Sequence, residues 1–141
     1  MLFPKKVKYR KWHTMRKNPT KVGVANRGAS VSFGSHGLKA TTPGRVTSNQ
    51  IESARKAISR ALGKTGKVWI RIFPDMPFTK KPAEVKMGKG KGDPQGYVAV
   101  IRPGRILFEI DGVDDKTAID ALKGAGVKIS VKTKVVSRNI A

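Results

Sequence analysis

Met87-Gly88-Lys89-Gly90-Lys91-Gly92 is the stretch whose residue types most directly invite a chemical reading. Glycine alternating with lysine makes a thin backbone that carries cations at close intervals and reaches conformations closed to other residues. The chemistry on offer is phosphate recognition. It is not that of a nucleotide-hydrolysing loop, which needs a longer spacer before a Gly-Lys-Ser/Thr ending, nor that of a dinucleotide turn, which leaves a strand and opens a helix. With Lys86, Lys89 and Lys91 together, the run reads as a probe for a narrow cleft in folded RNA, because a plain flexible tip has no need of so many lysines.

Little else in the chain offers reaction chemistry. His13 and His36 are the only histidines and cysteine is absent, so disulfides and cysteine-based zinc sites are excluded. No nucleophile, base and carboxylate are spaced as a signature, and no catalytic residue, metal site, cofactor or small-molecule substrate is assigned. His36, in Gly34-Ser35-His36-Gly37, reads as a turn residue or as a ring stacking on RNA. Tyr9 and Trp12, set among cations, suit base or ribose stacking, while Trp69, within an apolar run, reads as core.

The charge balance favours the same partner. Thirty Lys and Arg against nine Asp and Glu leave a formal charge of +21. Such self-repulsion is tolerable when a polyanion neutralises it. No acid precedes Glu52, whereas eleven basic residues do. The candidate RNA contacts are therefore Lys5, Lys6, Lys8, Arg10, Lys11, Arg16, Lys17, Arg27, Lys39 and Arg45, joined by Lys56, Arg60 and Lys64 further on. Five of the nine acids fall between Glu109 and Asp120, a segment expected to face solvent or a protein neighbour. No apolar stretch reaches the ~20 residues that span a bilayer. The N-terminus lacks the apolar centre of a secretory signal, so a cytoplasmic location without a membrane partner is expected.

These side chains need elements to position them. Residues 1–28 show little periodicity and read as an extended basic arm that orders on a partner. Residues 29–141 are expected to form a single domain. Residues 29–40 have strand-like content, interrupted by Gly34 and Gly37. Thr47 to Gly63 is the clearest helix. Thr47 and Gln50 form a capping box, and Ile51, Ala54, Ile58, Ala61 and Leu62 form one apolar stripe opposite Lys56, Arg60 and Lys64. Val68–Phe73 reads as a strand, and Tyr97–Arg102 and Arg105–Ile110 as a hairpin turning at Pro103-Gly104. A Pro-Gly turn favours type II, which fits hairpin twist poorly, so a bulge or open turn is expected. Asp114-Asp115 starts a short helix through Lys123. Val127, Ile129, Val131, Thr133 and Val135 alternate with polar residues as a strand buried on one face. Residues 74–96 show neither periodicity and read as a long functional loop rich in Pro, Gly and Lys. The expected fold is α+β, a two-layer sandwich of a mainly antiparallel sheet with two helices on one face.

Taken together, the motifs resemble the bacterial form of the sixteenth large-subunit ribosomal protein, a family universal to ribosomes. The resemblance rests on Met1-Leu2 with Pro4-Lys5 and Arg10-Lys11, on Val31-Ser32-Phe33-Gly34 with Gly37-Leu38-Lys39-Ala40, and on Arg71-Ile72-Phe73-Pro74-Asp75 with Lys81-Pro82. Val85-Lys86 leading into the glycine–lysine run, Pro103-Gly104-Arg105-Ile106-Leu107-Phe108-Glu109 and Gly112-Val113 complete it, from the first residue to about Val136. It implies a structural constituent of the large subunit bound to 23S rRNA and to other large-subunit proteins. It also implies contact with A-site tRNA, with P-site tRNA as a second candidate. Lys86, Met87, Gly88, Lys89, Gly90, Lys91 and Gly92 would form the loop reaching towards the peptidyl transferase centre. Three positions depart from the pattern. Lys86 stands where arginine is frequent, the stretch between His13 and Val31 is longer, and His36 stands where Phe or Tyr is expected. The readings set against this family are a general nucleic-acid-binding protein outside the ribosome, an RNA-modifying enzyme and a membrane-active cationic protein. The first has no use for the long loop, the second lacks a catalytic cluster, and the third lacks an apolar face on its arm.

Overall fold

The computed structural model describes residues 2–11, 22–79 and 94–138. Its elements are β1 (His36–Ala40), β2 (Gly44–Thr47), α1 (Ser48–Leu62), β3 (Lys67–Ile70), β4 (Met76–Thr79), β5 (Pro94–Ile101), β6 (Ile106–Asp111), α2 (Asp115–Gly126) and β7 (Thr133–Ser137). The fold is α+β, as expected, with antiparallel pairing throughout. The strands divide between two sheets, one of four strands in the order β3-β6-β1-β7 and one of three in the order β2-β5-β4. The helices pack against each other, α1 also meeting β3, β2 and β5, and α2 meeting β1, β7 and β6. The core between these layers contains Leu38, Ile51, Ile58, Ile101, Phe108, Ile110 and Leu122, all at most 2% exposed.

Helix α1 forms for the reasons its sequence contains. The Thr47 hydroxyl accepts the Gln50 N–H at 3.2 Å, and the Gln50 side chain accepts the Thr47 N–H at 3.1 Å. Gly63, at φ 68°, ends the helix with its N–H on the Ser59 carbonyl. Ile51, Ala54, Ile58 and Leu62 are buried, whereas Ala61, placed in the apolar stripe by its spacing, is exposed. Removing the cap by Thr47→Ala should cost about 1 kcal/mol in chemical denaturation, with little change in denaturant dependence.

The expected hairpin at Pro103-Gly104 does not form. The turn itself closes, with the Arg105 N–H on the Arg102 carbonyl at 3.2 Å and Gly104 at φ 96°, as a type II turn requires. The chain that leaves it is then captured by β1. Gly104 N–H donates to the Ala40 carbonyl at 2.7 Å, and Ala40 N–H donates to the Arg105 carbonyl at 2.8 Å. β5 and β6 therefore belong to different sheets, and the poor fit of a type II turn to hairpin twist is resolved by the strands parting.

Three other expectations are corrected. Within 74–96, β4 pairs with β5 from Met76↔Val98 to Thr79↔Pro94. Its Pro77 is tolerated because β4 is an edge strand. The alternating run 127–135 is a strand only from Thr133. Helix α2 continues to Gly126, and Lys128 N–H closes on Ala125 O at 3.0 Å, so Val127 is 80% exposed while Ile129 and Val131 still reach the core. In the segment 29–40, only residues from His36 onward are strand.

Candidate nucleic-acid interface

β3 runs along the edge of the four-stranded sheet, and its side chains alternate. Val68 and Ile70 pack on the core, which turns Lys67, Trp69 and, just beyond the strand, Arg71 to the other face. Trp69 is thus half-buried outside the core rather than within it. Its ring stacks on Phe33, with centroids 6.2 Å apart and planes at 22°. Lys67 Nζ lies 5.7 Å from the Trp69 ring centroid, and the Arg71 guanidinium lies 5.2 Å from that of Phe33. Cations and aromatics thus interleave along one surface, each cation drawn to the electron-rich face of a ring.

The segment carrying Phe33 is held from beneath by Glu109. This carboxylate is fully buried, against the expectation that its acidic stretch faces outward. Its Oε1 accepts the backbone N–H groups of Ser32 and Phe33 at 2.8 Å each and of Gly34 at 3.1 Å. Successive N–H groups of this kind make an anion-binding concavity, and here the protein fills it with its own carboxylate. Glu109 Oε2 lies 2.9 Å from Arg71 Nη1, an ion pair without well-aligned hydrogen-bond geometry. Arg71 Nη1 also donates to the Ser30 carbonyl at 2.7 Å. Gly34 lies so close to β6 that a Cβ there would collide with the Ile110 carbonyl. The remaining acids of that stretch, Asp111, Asp114, Asp115 and Asp120, are exposed as expected. The Thr117 hydroxyl holds the Asp114 carboxyl below the ordinary aspartate value.

A second arginine fixes the preceding turn. Arg105 donates to the Arg27 carbonyl at 3.0 Å and to the Arg71 carbonyl at 2.9 Å. Ala25 N–H bonds to the Pro103 carbonyl and Ile106 N–H to the Gly28 carbonyl, so residues 25–28 are tied to the domain. Between this turn, residues 70–73 and β5 lies a groove of roughly 860 Å³, lined by Arg27, Arg71, Arg102 and Arg105 with Phe73 and a single acid, Asp75.

The candidate RNA contacts distribute as follows. Lys5, Lys6, Lys8 and Arg10 are exposed and Lys11 is half-buried, on a segment (2–11) without helix or strand. Leu2 docks on the core, and Lys8 Nζ lies 5.5 Å from the Tyr9 ring centroid. Lys56 and Arg60 are exposed on α1, whose neighbouring Arg55 is occupied by Glu52 and lowers that carboxyl. Lys64, expected to continue their stripe, is exposed in the turn after the helix. Arg45 is exposed on β2, and Lys39 is half-buried on β1. Among the described residues of the sequence-derived set, only Arg27 lines the arginine groove. Arg71, Arg102 and Arg105 were not assigned as contacts, since a lone arginine at a strand end carries no spacing signal. Period-two alternation of Lys67, Trp69 and Arg71 was the available clue. Trp12, His13, Arg16, Lys17 and the whole run Lys86–Gly92 lie outside the described residues.

His36 is neither a turn residue nor an exposed ring. It opens β1, is 7% exposed, and meets the Ser35 hydroxyl at 3.0 Å and Asp115 Oδ1 at 3.4 Å. Among the described residues no group of His, Asp and Glu is arranged to hold a metal ion, and no helix is long and apolar enough to cross a membrane.

Comparison with known proteins points to one family. The family model described as ribosomal protein L16p/L10e matches residues 4–136. A protein of Afipia carboxidovorans named large ribosomal subunit protein uL16 is 54% identical over 138 residues, covering 98% of each chain. The protein of that name from Thermosipho africanus is 55% identical over 139 residues, covering 99% of this chain and 95% of its own. One from Rhodopseudomonas palustris is 54% identical over 138 residues, again 98% of each chain. With near-complete coverage, the resemblance seen in the motifs becomes membership: the chain belongs to the ribosomal protein L16p/L10e family.

Proposed function

We propose that the protein is a structural constituent of the large ribosomal subunit in the bacterial cytoplasm, bound to 23S rRNA and to neighbouring ribosomal proteins. The observation that carries this reading is family membership along nearly the whole chain, and the charge of +21 fits it. A ribosomal protein of this kind is a structural component and not an enzyme. Cosedimentation with the large subunit through a high-salt wash tests the assignment. Loss of the protein from washed subunits, together with equal affinity for duplex DNA and rRNA, would favour a general nucleic-acid binder instead.

Within that role we infer a division of labour. The basic arm, Lys56, Arg60 and Lys64 anchor the protein to rRNA, while Lys86 to Gly92 serve the A-site tRNA and, secondarily, P-site tRNA near the peptidyl transferase centre. Replacing Lys86, Lys89 and Lys91 by Ala should leave subunit occupancy near normal. It should weaken tRNA accommodation by at least about tenfold, the equivalent of ~1.4 kcal/mol. Both quantities are read in the same mutant particles. Failure to assemble would make the loop an rRNA anchor, and normal translation would make it a mere linker.

A further inference from the structure

We propose that Phe33 is a stacking platform for an unpaired RNA base, with the neighbouring arginine groove taking the phosphates beside it. This rests on the RNA-binding reading and assigns it a specific site. Phe33 is 56% exposed, a large apolar area to leave open on a small domain. It is nevertheless held in place. Its own N–H and those of both neighbours are fixed on Glu109, and its ring is braced by Trp69 and Arg71. A rigid aromatic loses little freedom on binding, which is the property a recognition anchor needs.

The surroundings select the occupant. Lys67 and Arg71 flank the rings, and Arg71 is shared with the groove that also presents Arg27, Arg102 and Arg105. An apolar protein partner would have to desolvate these cations without compensation. A nucleotide satisfies both halves: its base offers a π-face to Phe33, and its phosphate meets the exposed Arg27 and Arg102, whose guanidinium groups suit bidentate contact. Arg71 and Arg105, held by Glu109 and backbone carbonyls, add positive field. Aromatic rings beside a cationic groove are the general solution for single-stranded nucleic acid, tolerant of sequence because every base has a π-face. A Phe ring has no hydrogen-bonding edge, so the platform distinguishes unpaired from paired bases and not one base from another.

The test uses the full-length protein with two probes, single-stranded oligoadenylate of about 12 nucleotides and an abasic oligonucleotide of the same length, compared by fluorescence anisotropy at low salt. The wild-type protein should bind the oligoadenylate more tightly. Phe33→Ala should weaken that binding by roughly 5- to 140-fold and leave the abasic probe unchanged. Phe33→Trp should keep the preference, whereas Arg102→Ala should weaken both probes alike. A preference that survives Phe33→Ala overturns the platform, as does equal weakening of both probes. Unchanged oligonucleotide binding in Phe33→Ala, with reduced incorporation into the large subunit, would overturn it in favour of a protein contact. Failure of the wild-type protein to bind even the abasic probe would sink the RNA-binding reading itself, and the platform with it.

Discussion

Raising the salt from about 50 to about 200 mM should weaken binding to a matching 23S rRNA fragment by ~10³–10⁵-fold, if about six to ten Lys and Arg side chains neutralise phosphates. Each neutralised phosphate releases condensed counterions, and the entropy of that release shrinks as bulk salt rises. The chain has the charges for it. Thirty basic residues are opposed by nine acids, and of those acids Glu52 and Glu109 are occupied by Arg55 and Arg71. The measurement is the slope of log affinity against log salt. A slope near zero would mean that apolar and stacking contacts dominate. Arg102→Ala should lower the slope by about one, as expected for one phosphate contact, while Phe33→Ala should leave it unaltered.

Glu109→Gln should cost about 3–5 kcal/mol of folding stability, a large share of what a domain of this size has. The reason is asymmetric. The buried pair with Arg71 need not add much to stability, since both ions gave up hydration to form it, but removing one charge strands the other. Glutamine can still accept the N–H groups of Ser32, Phe33 and Gly34 through its oxygen, so its amide turns towards the Arg71 guanidinium. Adding Arg71→Met to this variant should therefore recover part of the loss. Urea denaturation of the single and double variants decides the matter. A cost below about 1 kcal/mol for Glu109→Gln would show that the site tolerates a neutral occupant.

Legibility from sequence followed the range of the interactions. Helix α1 was readable because everything that makes it lies within its own span: the Thr47–Gln50 capping box, an apolar stripe at helical spacing, and Gly63. The cationic composition was readable because charge needs no fold. The parting of β5 and β6 was not, since it depends on Ala40, far away in sequence, capturing Gly104 and Arg105. Alternation in 127–135 correctly marked Ile129 and Val131 as inward, yet burial is compatible with a turn as well as a strand. β4 was hidden by Pro77, a residue that argues against strands except at an edge, and edges are visible only once the sheet is assembled. The aromatic–cation surface joins Phe33 to Trp69 and Arg71, and Glu109 looked like one more exposed acid in an acidic stretch. No local pattern announces a carboxylate whose partners are 75 to 77 residues away.

That separation also sets an order of events during synthesis. The turn at residues 25–34 is secured by Arg71, Pro103, Arg105, Ile106 and Glu109, every one of them made later. A nascent chain can cap and wind α1 soon after it emerges, because those contacts are local. The N-terminal turn is not fully docked until β6 has left the exit tunnel. At about 5–20 residues per second, the delay between making Phe33 and making Glu109 is about 4–15 seconds, throughout which the basic leader remains untethered. A strongly cationic, unanchored segment in a cell full of RNA is exposed to premature capture. The turn at residues 25–34 is thus fastened only after β6 is made, and fastening it amounts to a check that the chain has been completed through that strand.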